Sequence, residues 1–166
     1  MEYNNLHETA NETTFTHYIA HDVRYLLPYN KRYYCIMPSA EISFIEVSVL
    51  ADFWIVFGIV DLPESRLINT GHTLNIEPVN QNNKHSARTY MFKDTQIKGD
   101  INNQDFINQV YVNLYQQNKI LVGLVSNHRY YIEVKNTMDK VVYYNLNIRF
   151  AQGSATDHEN LSDSGK

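Results

Sequence analysis

The closest-spaced residues able to do chemistry are in His17-Tyr18-Ile19-Ala20-His21-Asp22. On a helix the two imidazoles would face the same way and could share a zinc ion, with Asp22 nearby. The preceding Thr13-Thr14-Phe15-Thr16 favours a strand instead, and no glutamate stands between the histidines to serve as a base. His17 and His21 therefore read as surface or strand-end residues, and no metal is expected. A histidine site would require either of them to converge on His72, His85 or His128.

Four acids are candidates for proton transfer: Asp52, Asp61, Glu64 and Glu133. Asp52 borders an apolar run beside Trp54, a setting that can perturb a carboxyl group. Its plainer reading is a bend residue that caps a backbone amide. Cys35, the single cysteine, sits between Tyr34 and Ile36 and reads as an inert buried hydrophobe. An intramolecular disulfide is thereby excluded. The six glycines never cluster, so neither a phosphate loop nor a dinucleotide fingerprint exists, and Gly-x-Ser-x-Gly is missing. No cofactor is expected, and an enzyme built on a β-sandwich is the least favoured reading.

Binding is better supported than catalysis. The chain has 13 Tyr beside 7 Phe and 1 Trp, and the tyrosines recur in pairs: Tyr33-Tyr34, Tyr130-Tyr131 and Tyr143-Tyr144. Neighbours on a strand point to opposite faces, so each pair sends one ring inward and one outward. Outward Tyr131 or Tyr130 beside Tyr143 would make an aromatic strip flanked by Asn145, Asn147 and Arg149. Flat rings next to amides and a guanidinium suit a sugar or another protein surface. Ordinary cross-strand pairing on a solvated face is the bland alternative.

The elements that must position these residues read as strands. They run near Thr14–Ala20, Val23–Leu27, Arg32–Met37 and Ile42–Leu50, then through a buried run at 53–60. Arg66–Asn69, Thr73–Glu77 and Arg88–Lys93 follow. Pro28-Tyr29-Asn30, Asp61–Ser65 and Lys98-Gly99-Asp100 punctuate them as turns. Residues 105–116 are ambiguous, and a short helical turn leading into a strand is preferred over a full helix. Ile120–Val125, Arg129–Val134 and Val141–Phe150 close the pattern. In the last, Tyr144, Leu146, Ile148 and Phe150 share a greasy face, and Val141, Tyr143, Asn145, Asn147 and Arg149 share a mixed one. The expected fold is all-β, an antiparallel β-sandwich, jelly-roll-like or immunoglobulin-like, with at most one short helix. Residues 1–13 read as a flexible arm, 14–151 as one domain, and 152–166 as a disordered tail.

A net charge of -4 with scattered Lys and Arg argues against nucleic acid as a partner, because phosphate binding needs clustered positive charge. The eight-residue apolar run at 53–60 is too short to span a bilayer, and no secretory leader is visible at the start. The leading expectation is a non-enzymatic structural protein, a component of a viral particle or surface assembly. It would pack as a homo-oligomer or larger assembly through its tyrosine-rich faces. A carbohydrate- or protein-binding module is the alternative.

Overall fold

The alternation read from the sequence becomes twelve strands in the computed structural model, which describes residues 15–38, 42–82, 86–112 and 118–153. They are β1 (Phe15–Leu26), β2 (Lys31–Pro38), β3 (Ile42–Ala51), β4 (Ile55–Val60), β5 (Leu67–Asn69) and β6 (His72–Thr73). Then follow β7 (Glu77–Pro78), β8 (Thr89–Ile97), β9 (Phe106–Val112), β10 (Asn118–Val122), β11 (Tyr130–Asn136) and β12 (Val142–Gly153). Helical structure among the described residues amounts to two single 3-10 turns, Glu64–Arg66 and Asn103–Asp105. The second leads directly into β9, as the preferred reading of 105–116 had it; residues 113–117 lie outside the described residues.

The strands form two sheets, and every pairing is antiparallel. One has five strands in the order β10-β3-β12-β1-β7; the other has seven, β5-β8-β2-β11-β4-β9 with β6 added beside β8. Within them β1-β12-β3-β10 faces β2-β11-β4-β9, and the long strands cross from sheet to sheet as the chain proceeds. That interleaving is the jelly roll, so it decides between the two sandwich types expected.

Period-two patterning explains the core. In β12 the burial alternates from Val142 to Phe150, with Tyr144, Leu146, Ile148 and Phe150 inside and Tyr143 and Arg149 exposed. Tyr18, Ile45, Val47 and Val49 extend that layer, and Tyr34, Ile36, Phe57, Ile59 and Ile132 meet it from the other sheet. The seven-stranded sheet is also covered on its far side. A smaller core of Cys35, Val60, Leu62 and Tyr131, with Phe92, Ile97, Ile101 and Phe106 packed against it, lies there. Between β4 and β9, Gly58 leaves room that no side chain could share, since a Cβ there would lie 2.6 Å from the Phe106 ring and 2.7 Å from the Asn108 carbonyl oxygen.

Four expectations need correction. The first two strand patterns are one strand, because Phe15 to Leu26 pairs without a break along β12. The buried run starts at Ile55: Phe53 and Trp54 are 39% and 49% exposed, since the chain bends at Asp52 to enter the other sheet. The stretch Thr73–Glu77 is two short pairings, β6 and β7, joined across both sheets rather than one strand. At the C-terminal end β12 runs on through Gly153. There Gln152 is buried and its Oε1 accepts from the Arg88 backbone N–H at 2.8 Å. Residues 1–14 and 154–166 lie outside the described residues.

Candidate functional site

Among the described residues, no second layer covers the outer face of the five-stranded sheet. Register places its side chains in rows across the strands. One row is Leu121, Glu46, Arg149 and Ile19; the next is Lys119, Ser48, Asn147 and His21. Then come Leu50, Asn145 and Val23, and finally Asp52, Tyr143 and Tyr25. Lys119 pairs with Glu46 at 3.6 Å, and Asn147 Nδ2 donates to Asn145 Oδ1 at 3.3 Å. Polar groups thus concentrate in the middle rows, between Leu121 and Phe44 towards one end and Leu50, Val23, Tyr143 and Tyr25 at the other.

At the apolar end the rings of Tyr25 and Tyr143 meet with centroids 5.9 Å apart. Both are more than half exposed, as is Val23, and Leu50, Leu27, Phe53 and Trp54 lie exposed at the same end. Lys140 Nζ stands 4.1 Å over the Phe53 ring. Asp52 fixes the bend beneath them, because its Oδ1 accepts from the Tyr143 backbone N–H at 2.8 Å. The capping role expected for Asp52 is therefore observed. A contiguous apolar patch of this kind marks an interaction surface more often than it occurs idly.

Of the predicted strip, Tyr143, Asn145, Asn147 and Arg149 do share this face. Tyr131 does not join them. It is 1% exposed on β11, in the other sheet, inside the second small core. The correction has a simple cause: β11 is a central strand of a sheet covered on both faces, so both tyrosines of its pair are buried. His17 and His21 lie on the same outer face of β1, about 13 Å apart at strand rise, too far to share an ion. Among the described residues no group of three His, Cys, Asp or Glu could hold a metal.

The remaining acids have structural partners. Glu133 is buried and accepts from the Tyr33 hydroxyl at 3.0 Å. Asp61 meets His128 Nε2 at 2.7 Å, and Arg129 donates to Glu64 at 3.1 Å. The cavity of about 280 Å³ beside His128 is lined by Met37, Pro38, Glu64, Tyr90, Asn127 and Arg129, with no second histidine. His21 borders another of about 260 Å³ with Asp22, Glu77 and Lys93, again without a second histidine. His85 lies outside the described residues. Burial pushes the Cys35 thiol up to about 12, against the pull of Arg129, which leaves it protonated and unreactive at neutral pH.

Sequence reasoning missed the apolar end of the face. Val23 and Tyr25 were legible as outward residues only once β1 was one strand with His17 and His21 in phase. Phe53 and Trp54 were hidden by their place in an unbroken apolar run.

No family model matches the chain, and no curated protein matches it. Among solved structures, the Yersinia pseudotuberculosis-derived mitogen YPM is 8% identical over 82% of this chain and 86% of that one, with a TM-score of 0.33. A structure of infectious bursal disease virus, Gt strain, is 8% identical over 90% of this chain and 43% of that one, with a TM-score of 0.19. Likenesses this distant reach no further than a β-rich architecture. What fold and surface define together is a β-sandwich that, among the described residues, is sheathed on one sheet and uncovered on the other.

Proposed function

We propose that the chain is a non-enzymatic assembly protein whose bare sheet face packs against another protein. The observation that carries this reading is the exposed cluster at one end of that face, Tyr25, Tyr143, Leu50, Phe53 and Trp54. Aromatic rings bury large area at little entropic cost and are enriched where proteins meet. The polar middle of the face, with Arg149, Asn147, Asn145 and the Lys119–Glu46 pair, supplies the hydrogen-bonding groups such an interface needs. Asp52, Asp61, Glu64 and Glu133 are held by structural partners, and His21 and His128 border separate cavities, which favours binding over catalysis.

Light scattering of the full chain across a concentration series tests the reading. Association that rises with concentration, and that falls when Tyr143→Ser and Trp54→Ser are introduced without a change in melting temperature, supports it. A chain that stays at its monomer mass of 19.4 kDa, with or without those changes, counts against self-assembly through this face. Binding of an oligosaccharide array by such a monomer, lost in Tyr143→Ser, would favour the carbohydrate-binding alternative.

A further inference from the structure

Among the described residues, β1 is paired along its whole length on one side and only briefly on the other. All twelve of its residues are matched by β12, whereas β7 matches just Tyr18 and Ile19. The carbonyl of His17 accepts from the Val79 N–H at 2.9 Å, which shows that odd-numbered residues of β1 aim their backbone groups at the β7 side. Beyond Ile19, then, His21, Val23 and Tyr25 present N–H and C=O groups with no backbone partner among the described residues. The open window is short. β7 closes it at Ile19, and β1 itself ends at Leu26, where the Leu27–Asn30 turn carries the chain to the other sheet. Its midpoint is Val23.

We propose that this edge is a docking strand for a second copy of the chain, paired antiparallel about a two-fold axis at Val23. The proposal rests on the assembly reading for the nature of the partner and adds where the contact is made. Six backbone hydrogen bonds form, two between the Val23 residues and two for each exchange of His21 with Tyr25.

The charges select both the partner and the register. With Val23 on the axis, Asp22 of each copy stands opposite Arg24 of the other, a favourable cross-strand pair made twice. A shift that centres the axis on Arg24 sets two arginines face to face, and one centred on Asp22 sets two aspartates together. Both neighbouring registers are thereby penalised. Asp22 and Arg24 point inward, a device that often guards edges. Here they are already held inside the chain, Asp22 by the Tyr34 hydroxyl at 2.7 Å and Arg24 by Asp94 at 3.1 Å. The edge itself carries neither lysine nor proline. On the outer face Val23 is 65% exposed, and pairing places two copies of it side by side.

Sedimentation of the full chain over a wide concentration range, with three sets of variants, tests the proposal. The wild type is expected to pass from monomer to dimer. Val23→Pro removes the central donor at a position where the monomer makes no bond with it, so it should abolish the dimer and leave the monomer's melting unchanged. Val23→Lys does the same by charge and covers the case in which the proline variant fails to fold. Under mild oxidation with glutathione disulfide, Val23→Cys should be captured as a disulfide dimer at least about tenfold faster than Leu121→Cys, while Cys35 stays buried and silent. A monomer at every concentration overturns the proposal, as does equal capture of the two cysteine variants. Association that survives Val23→Pro but is lost in Tyr143→Ser overturns the edge and leaves the face reading intact; the reverse sinks the face and keeps the edge.

Discussion

The hydroxyls of Tyr34 and Tyr144 lie 2.6 Å apart, joining a strand of one sheet to a strand of the other through the core. Asp22 fixes which of them donates. A carboxylate can only accept, so the Tyr34 O–H, 2.7 Å from Asp22 Oδ2, is spent on it, and Tyr144 must donate to Tyr34. Burial, reinforced by Tyr144 and Asp22, pushes the Tyr34 hydroxyl far above its ordinary range, and burial raises Tyr144 to about 12. Both are therefore protonated at neutral pH.

That order of donors makes the two tyrosines unequal. Tyr34→Phe strands the Asp22 carboxylate, leaving it Arg24 alone, and is expected to cost about 2–3 kcal/mol. Tyr144→Phe removes one donor from a hydroxyl that keeps its other bond, and should cost about 1 kcal/mol. Urea unfolding midpoints measure both, and equal losses would contradict the assigned direction.

Asp94 sits in a left-handed bulge of β8, with φ at 59°, and is gripped by Arg24 and Arg32. Burial pushes its carboxyl up, but the two guanidiniums outweigh that and hold it below the usual carboxylate range. Folding therefore favours the ionised form. Its contribution is complete above the unfolded value of about 3.9 and fades as pH falls through the lower folded value. Asp94→Asn should lower the melting temperature at neutral pH, with the gap to wild type narrowing below about pH 4. A gap that stays constant down to acid unfolding would show that the carboxylate's charge is not what matters.

Gly58→Ala is expected to destabilise by about 1–3 kcal/mol, the usual range for forcing atoms into a filled site. Shortening Phe106 to Leu in the same chain should recover only part of the loss. The Asn108 carbonyl, 2.7 Å from the added methyl, belongs to the backbone of β9 and cannot step aside. Full recovery in the double variant would mean that the ring alone sets the limit.

Tyr131 and Tyr143, treated as equivalents by the sequence pattern, should behave as opposites. Tyr131→Ala empties the small core on the covered sheet and should cost about 3 kcal/mol or more. Tyr143→Ala, at a site 59% exposed, should stay within about 1 kcal/mol. Similar thermal shifts in both would restore the discarded view that they share a surface.

The contrast shows where the sequence stops speaking. Alternation along β12 tells which side chains share a face, since that parity is local, and the row Tyr143, Asn145, Asn147, Arg149 follows from it. Whether a face is covered depends on residues far along the chain. Tyr131 is buried because Leu62, Ile97, Ile101 and Phe106 fold over it, and nothing beside Tyr131 announces them. Trp54 is the converse: its apolar neighbours suggest a core, but one acid at the bend turns it out. The free edge of β1 depends on β7 stopping after two residues, a fact fixed by pairing between positions some sixty apart.

The sheath over the seven-stranded sheet gives the molecule a front and a back. Two chains joined edge to edge about an axis normal to the sheet both turn their fronts the same way, so the pair becomes a platform of doubled width with two copies of the aromatic end. Any repetitive target met by that platform is held twice at once. The second contact then forms at the effective concentration set by the first, so avidity arises without any new residue.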